Sequence, residues 1–180
     1  ENWLDAGEGN CWLRNEAARA SVVSALNFFA APQKEKRDST PLVCAGGLQP
    51  PPPAKAAPTI PSPNSATIAE SKPSPAEVRY ELGDFVVVPN HVHILVRPLA
   101  TWTLEQILHS WKTFTAKQIN ACIGRRGSVW WKDSFDHIVR SGTHFAKFQR
   151  YITNNPIKAR LQPHEFHLHR TNLNFLHTAP

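Results

Sequence analysis

Two histidines separated by a single residue, His91 and His93, lie in the apolar stretch FVVVPNHVHILV. Side chains alternate across a β-strand, so residues two apart point to the same face. A strand here therefore presents two imidazoles side by side, and imidazole is a common ligand of divalent metals. A metal site needs at least one more group, and two partly exposed histidines at the start of a strand also explain the tripeptide taken alone.

A second pair of polar residues, Tyr151 and Asn155, lies four residues apart near the end of a predicted helix. This spacing places both on one helical face, one turn apart. A phenol oxygen and an amide oxygen then project together toward whatever the helix packs on. Taken alone, the pair is also explained by Tyr151 packing in the core and Asn155 closing the helix before a proline.

The elements that must position the histidines follow from the hydrophobic pattern. A β-hairpin is predicted over residues 78–98, with Pro89 and Asn90 supplying the turn between its strands. Apolar residues then recur at helical spacing over residues 103–123, where Thr103 is the predicted N-cap. We expect the apolar stripe of this helix to pack in the core.

The tyrosine is placed by a second group of elements. An aromatic-rich strand region is predicted over residues 129–139, and a helix over residues 143–161. Thr143 is the expected cap of that helix, and Pro156 lies where the helix must end or kink, because proline has no N–H to donate.

The chain divides into four segments by composition. Residues 1–31 comprise a turn-rich lead and a first helix, for which Asn15 is the predicted N-cap. Residues 32–77 contain 11 of the 16 prolines, and their apolar content is too low to offset the entropy lost on ordering. This composition predicts a disordered insertion. We interpret the insertion as a spacer rather than as a ligand for an SH3-type domain. Residues 78–161 carry both polar pairs, and residues 162–180 are interpreted as a poorly specified tail.

The charge of the chain suits an acidic partner. The formal net charge is +6 and the sequence pI is about 9.5. Residues 79–160 contain 12 lysines and arginines against 5 aspartates and glutamates. The basic character therefore belongs to the segment with the paired histidines, and nucleic acid is the partner that it favours.

The cellular setting follows from the cysteines and from the absence of long apolar runs. Cys11, Cys44 and Cys122 are widely spaced, which predicts reduced thiols and a cytoplasmic protein. No membrane span or signal peptide is recognisable in the sequence. The chain starts at Glu1 and contains no methionine, which indicates a fragment or a processed product.

Four motifs in order, PNHVH, HSWK, WKDSFDHIVR and YITNNPIKA, resemble those of the HUH single-tyrosine transposases. The best match is the branch of REP-associated tyrosine transposases, and the resemblance covers residues 1–31 and 78–161. It implies a ferredoxin-like α+β sandwich, an antiparallel sheet with helices on one face. The first strand of that family precedes the lead segment, so here an interior strand is expected to be missing, and residues 32–77 interrupt the domain.

The resemblance also implies the chemistry of the two polar pairs. His91 and His93 hold a divalent metal, Mg²⁺ or Mn²⁺, and Asn155 completes the metal site. Tyr151 is the nucleophile that cleaves single-stranded DNA near hairpins through a 5′-phosphotyrosine intermediate, so that the strand can be transferred. The implied partner is DNA with a REP-like hairpin, the implied location is the nucleoid in the cytoplasm, and the protein is a monomer or a homodimer.

A DNA substrate gives a role to aromatic and basic side chains. Trp130, Trp131 and Phe135 can stack on bases or simply pack, whereas Trp102 and Trp111 are expected in the core. The candidate phosphate contacts are Lys112, Lys117, Arg125, Arg126, Lys132, Arg140, Lys147, Arg150 and Lys158.

Two other functions fit the same motifs. A shortened or domesticated relative would bind hairpin DNA without cleaving it. An unrelated zinc-binding protein would account for the paired histidines but would leave Tyr151 unexplained.

Overall fold

The computed structural model describes residues 10–30, 42–46, 78–99 and 101–172. The helices and strands of these residues are α1 Glu16–Phe28, β1 Val43–Gly46, β2 Tyr80–Val88, β3 His91–Pro98, α2 Leu104–Cys122, β4 Phe135–Ile138, α3 Gly142–Lys158 and β5 His167–His169. The strands form one five-stranded sheet in the order β4-β1-β3-β2-β5, and every pairing is antiparallel. The predicted α+β class with an antiparallel sheet is confirmed.

The predicted hairpin is present as β2 and β3, which pair from Tyr80↔Pro98 to Val88↔His91. Pro89 and Asn90 form the turn between them, as expected. The backbone N–H of Leu13 donates to the Pro89 carbonyl at 3.0 Å, so the lead segment holds the turn from outside the hairpin.

Helices cover both faces of the sheet. α1 and α2 pack on one face in a single core cluster that includes Tyr80 and Ile94, whereas α3 packs on the other face, where Leu95 and Ile152 are buried. The expectation that all helices lie on one face of the sheet therefore holds for α1 and α2 but not for α3. The reason is that both faces of β2 and β3 are apolar, and each needs a cover. No helix among the described residues is long and apolar enough to cross a membrane.

The N-termini of the first two helices are capped as predicted. The Asn15 side chain accepts a hydrogen bond from the Ala18 N–H at 3.0 Å. Thr103 accepts from the Gln106 N–H at 3.2 Å, and the Gln106 side chain accepts from the Thr103 N–H at 3.0 Å. This reciprocal pair is a capping box.

The third helix has different ends from those predicted. It is capped by Ser141, which accepts from the His144 N–H at 3.1 Å, and not by Thr143. The helix continues through Pro156 to Lys158. It closes at Arg160, which takes a positive φ of 52°, and the next N–H donates back to the Pro156 carbonyl. Such a left-handed residue commonly ends a helix, although glycine usually occupies it.

The proline-rich segment is not wholly structureless. β1 lies within it and pairs with β3 on one side and β4 on the other, so an interior place in the sheet is filled. Leu42 and Cys44 are buried on the α3 face. The prediction of disorder is therefore wrong for residues 42–46, because a short apolar run was hidden in the average composition of the segment. The rest of residues 32–77 lies outside the described residues.

Two further boundaries differ from the prediction. The strand region expected over 129–139 is reduced to β4, which is exposed along its length at the edge of the sheet. The tail forms β5, which pairs with β2 in the register Phe85↔His169. Its placement is supported by Arg19, which donates to the His164 carbonyl at 2.7 Å. Residues 162–172 are thus part of the fold, and the remainder of the tail lies outside the described residues.

Truncation of Leu42 tests whether β1 belongs to the core. Only 1% of Leu42 is exposed, so Leu42→Ala should lower the free energy of unfolding by about 2–5 kcal/mol. Urea denaturation measures the loss. Ile157→Ala is the control: Ile157 is 71% exposed, and its truncation should change stability by less than about 0.5 kcal/mol. Equal stability of the two variants would show that Leu42 does not pack in the core.

Candidate active site

The paired histidines lie at the start of β3 on the face that α3 covers. Their ring centroids are 4.6 Å apart and the rings are nearly perpendicular, at 79°. Only 1% of His91 and 3% of His93 is exposed. The alternative that the two histidines are partly exposed is therefore wrong, because α3 covers this end of the hairpin.

Tyr151 projects from α3 onto the histidines. Its hydroxyl oxygen lies 3.4 Å from Nε2 of His93, and the two rings meet edge to face with centroids 4.9 Å apart. Asn155 follows one helical turn later and is 1% exposed, so it lies on the same covered side of the helix. The structure thus brings the strand pair and the helix pair to one place.

Tyr80 is excluded from this chemistry by its position. It is completely buried between α1 and α2, where its hydroxyl donates to the Leu26 carbonyl and accepts from Nε1 of Trp111, both at 2.9 Å. Burial raises the pKa of Tyr80 far above its ordinary value. The chain contains two tyrosines, and Tyr151 is the one beside the histidines.

The electrostatics of the site keep His93 uncharged. Burial holds the pKa of His93 well below its ordinary value, and the neighbouring His91 lowers it further. A neutral imidazole has the lone pair that a metal ligand must offer. His93 is therefore in the right protonation state for metal binding at neutral pH.

The residue types here suit a small divalent metal. Two neutral imidazoles and the amide oxygen of Asn155 could hold the ion while leaving its positive charge unquenched and other coordination positions open. Among the residues that the structure describes, no group of three or more histidine, cysteine, aspartate and glutamate side chains is arranged to hold a metal. Asn155 is therefore a candidate for the third ligand of a site built on this pair.

The tryptophans divide into core and surface residues. Trp130 is 7% exposed, and its Nε1 donates to the Thr115 hydroxyl at 2.7 Å, which makes it a packing residue and rules out base stacking. Trp102 and Trp111 pack in the same core cluster, as expected. Trp131 is 40% exposed and is free to stack on a ligand.

Two of the basic candidates are engaged within the protein. The Lys112 ammonium donates to the carbonyls of residues 131, 132 and 133 at 3.1 to 3.2 Å, and burial lowers its pKa. Lys112 thus organises the loop that carries Trp131. The Arg125 guanidinium lies 3.9 Å above the centre of the Trp12 ring. The remaining candidates are exposed: Lys117, Arg126, Lys132, Arg140, Lys147, Arg150 and Lys158.

The structure also adds two features to the site. The Lys158 ammonium lies 5.3 Å from the centre of the Tyr151 ring, a distance at which cation and ring attract. The sequence signal was the seven-residue spacing, which returns a helical residue to the same face. Asn90, predicted only as a turn residue, lies with its Oδ1 2.8 Å from Nδ1 of His91.

These features define a class of protein: an α+β domain in which one strand offers two histidines to a helix that carries a single tyrosine. Residues 73–155 match the family model described as "Transposase IS200 like", and this segment includes His91, His93, Tyr151 and Asn155. This match confirms the resemblance to the single-tyrosine transposases for the segment that carries both polar pairs.

One solved structure, described as a REP-associated tyrosine transposase bound to a REP hairpin, is also similar to this chain. The TM-score is 0.41 at 15% sequence identity, and the similarity covers 71% of this chain and 73% of that one. No sequence among the curated proteins matches.

The lowered pKa of His93 makes stability depend on pH. Below about pH 6.5 the unfolded chain takes up a proton that the folded protein does not bind, so stability should fall as the pH falls, by at most about 1.4 kcal/mol per pH unit for one group. Urea denaturation from pH 7 to pH 5 in the presence of a chelator measures this slope. We expect His93→Gln to reduce it.

The control for this experiment is His109→Gln, which removes an exposed histidine and should leave the slope as it is in the wild-type protein. An equal slope in His93→Gln and in the wild-type protein would contradict the buried, uncharged state of His93.

Proposed function

We propose that this transposase relative is a metal-dependent endonuclease and strand transferase that cleaves single-stranded DNA near hairpins, with Tyr151 as the nucleophile. The observation that carries the proposal is the 3.4 Å approach of the Tyr151 hydroxyl to Nε2 of His93. A tyrosine that served only to pack would not need its oxygen beside a buried imidazole pair.

The proposed metal site consists of His91, His93 and Asn155, with Mg²⁺ or Mn²⁺ as the ion. A phosphodiester repels nucleophiles because it is negatively charged. A bound divalent cation would neutralise that charge and orient the phosphorus. The protein residues contribute by holding neutral donors in a covered site. The Tyr151 hydroxyl is thereby placed next to the position that a scissile phosphate would take.

The reaction exchanges one ester for another. As the Tyr151 oxygen bonds to phosphorus, the phenol loses its proton and the P–O3′ bond breaks, and the leaving 3′ oxygen takes up a proton. The products are a 5′-phosphotyrosine link and a free 3′-OH. The link conserves the energy of the broken bond, so a strand can be rejoined elsewhere without ATP.

The surface around the site supports DNA binding. His137 of β4 stacks on Phe148 of α3 with ring centroids 6.0 Å apart, so the side chain of His137 is on the α3 face. Phe135, two residues earlier on the same strand, shares that face and is 49% exposed. Phe135 therefore offers an aromatic ring for an unpaired base on the face that carries His91 and His93, and Trp131, four residues earlier, offers a second exposed ring.

The proposed phosphate contacts are the exposed lysines and arginines of the same segment. Lys158 is foremost among them because its ammonium lies beside the Tyr151 ring, where the scissile phosphate must come. Lys112 and Arg125 are assigned to supporting the fold instead. The proposed partner is DNA with a REP-like hairpin, bound by a monomer or a homodimer in the cytoplasm.

The nucleophile is tested by covalent capture. The wild-type protein mixed with single-stranded hairpin DNA and Mn²⁺ should form a protein–DNA adduct that survives denaturing electrophoresis. Tyr151→Phe should abolish the adduct because it removes the attacking oxygen, and His91→Ala should reduce it by at least about 100-fold if metal assistance is lost.

Tyr80→Phe is the matched control, because it removes the other tyrosine hydroxyl at a distance from the site; the adduct should persist. An adduct in Tyr151→Phe would refute the assignment of the nucleophile. Hairpin binding by the wild-type protein without any adduct would favour a relative that binds DNA but does not cleave it.

The two adjacent tryptophans should respond differently to truncation. Trp131→Ala should weaken binding to single-stranded DNA by about 1–3 kcal/mol, the effect of losing one base–aromatic stack, without changing stability. Trp130→Ala should instead destabilise the fold by about 3–5 kcal/mol. Fluorescence anisotropy with labelled DNA and urea denaturation separate the two effects. Unchanged DNA affinity in Trp131→Ala would contradict the stacking role.

A further inference from the structure

The turn that leads into the histidine strand carries a buried side chain with a polar contact to the site. Asn90 is 4% exposed, although turn residues between two strands usually face solvent. Its Oδ1 lies 2.8 Å from Nδ1 of His91. We propose that Asn90 is a positioning residue that fixes the tautomer and the ring orientation of His91 so that Nε2 is presented to the metal. The proposal rests on the proposed function.

The direction of this hydrogen bond follows from the two atoms. An amide oxygen accepts hydrogen bonds and has no proton to donate, so the proton must lie on Nδ1 of His91. A neutral imidazole carries one proton, and Nε2 therefore keeps its lone pair. Asn90 thus selects the tautomer in which Nε2 can bind a metal.

The orientation of the acceptor is itself constrained. Asn90 is held between strands that pair up to Val88↔His91, and the preceding carbonyl, that of Pro89, accepts from the Leu13 N–H at 3.0 Å. If the His91 ring flipped, Nδ1 would leave the oxygen that accepts its proton, and a buried polar group that loses its partner destabilises the arrangement. The lead segment therefore holds the turn, and the turn holds the Asn90 side chain against the ring of His91.

Both histidines then offer the same ring atom to the site. The Tyr151 hydroxyl marks the position of the site, and it is Nε2 of His93 that lies next to it. With Nδ1 of His91 directed to Asn90, Nε2 is the ring nitrogen that His91 can offer as a ligand. Partners of this kind on metal-bound histidines also raise the basicity of the ligand, and their loss weakens metal binding by about 10–100-fold.

The first experiment measures metal affinity directly, by titrating Mn²⁺ into the full chain in a calorimeter. Asn90→Ala should weaken Mn²⁺ binding by about 10–100-fold. Asn90→Asp should restore it to within about threefold of the wild-type value or better, because a carboxylate also accepts from Nδ1 and aspartate also suits a turn. Asn154→Ala, which removes an exposed amide from α3, is the control and should bind as the wild-type protein does.

The second experiment reads the tautomer without any metal. Long-range ¹H–¹⁵N correlation spectra of histidine-labelled protein at pH 8 distinguish a protonated Nδ1 from a protonated Nε2, and His91→Gln identifies the signal of His91. We expect the Nδ1–H tautomer in the wild-type protein and in Asn90→Asp. In Asn90→Ala, the Nε2–H form should become populated while the remaining histidine signals stay in place, which shows that the variant is folded.

The outcomes separate this proposal from the proposed function. Unchanged Mn²⁺ affinity in Asn90→Ala overturns the role of Asn90 alone, and so does a wild-type His91 in the Nε2–H tautomer. A wild-type protein that shows the Nδ1–H tautomer but binds no Mn²⁺ overturns the proposed metal chemistry, and with it the role of Asn90 toward a metal. A weakened affinity in Asn90→Ala that Asn90→Asp does not restore would also contradict the proposal.

Discussion

The structure depends on one hairpin that is buried on both of its faces. Because side chains alternate along β3, Val92 and Ile94 enter the core under α1 and α2, while His91, His93 and Leu95 point to α3. The same strand therefore anchors the fold and carries the candidate ligands. A shift of its pairing by one residue would exchange the two faces and place the imidazoles in the apolar core, so hydrophobic packing on one side sets the register of the site on the other.

A second constraint is the docking of α3, since the tyrosine reaches the histidines only if this helix stays on the sheet. Phe145 and Ile152 supply the apolar contact. The buried carboxylate of Asp84 adds a polar one: it accepts from the Gln149 side chain on α3 at 3.4 Å and from the Thr171 N–H in the tail at 2.8 Å. Residues 162–172 of the tail therefore help to hold the helix that carries Tyr151, although they contribute no residue to the proposed chemistry.

The proline-rich segment shows how a short run of residues can complete a sheet. The four residues of β1 lie between β3 and β4, and an empty place there would leave the backbone amides of β3 without partners. The apolar side chains of Leu42 and Cys44 contribute to the core under α3, the helix of Tyr151. Residues 42–46 thus help to support the helix that carries Tyr151, because their buried side chains pack in the same layer as those of α3.

The sequence by itself predicted the hairpin, the three helices and the residues proposed for the site. Alternation around His91 and His93, the four-residue spacing of Tyr151 and Asn155, and the cap at Thr103 depend only on short-range geometry, and motif order was enough to indicate the family. The tertiary structure alone decided which face α3 covers, that residues 42–46 enter the sheet and that Trp130 is buried while Trp131 is exposed. These features depend on contacts between residues far apart in the chain, and no local pattern or average composition contains that information.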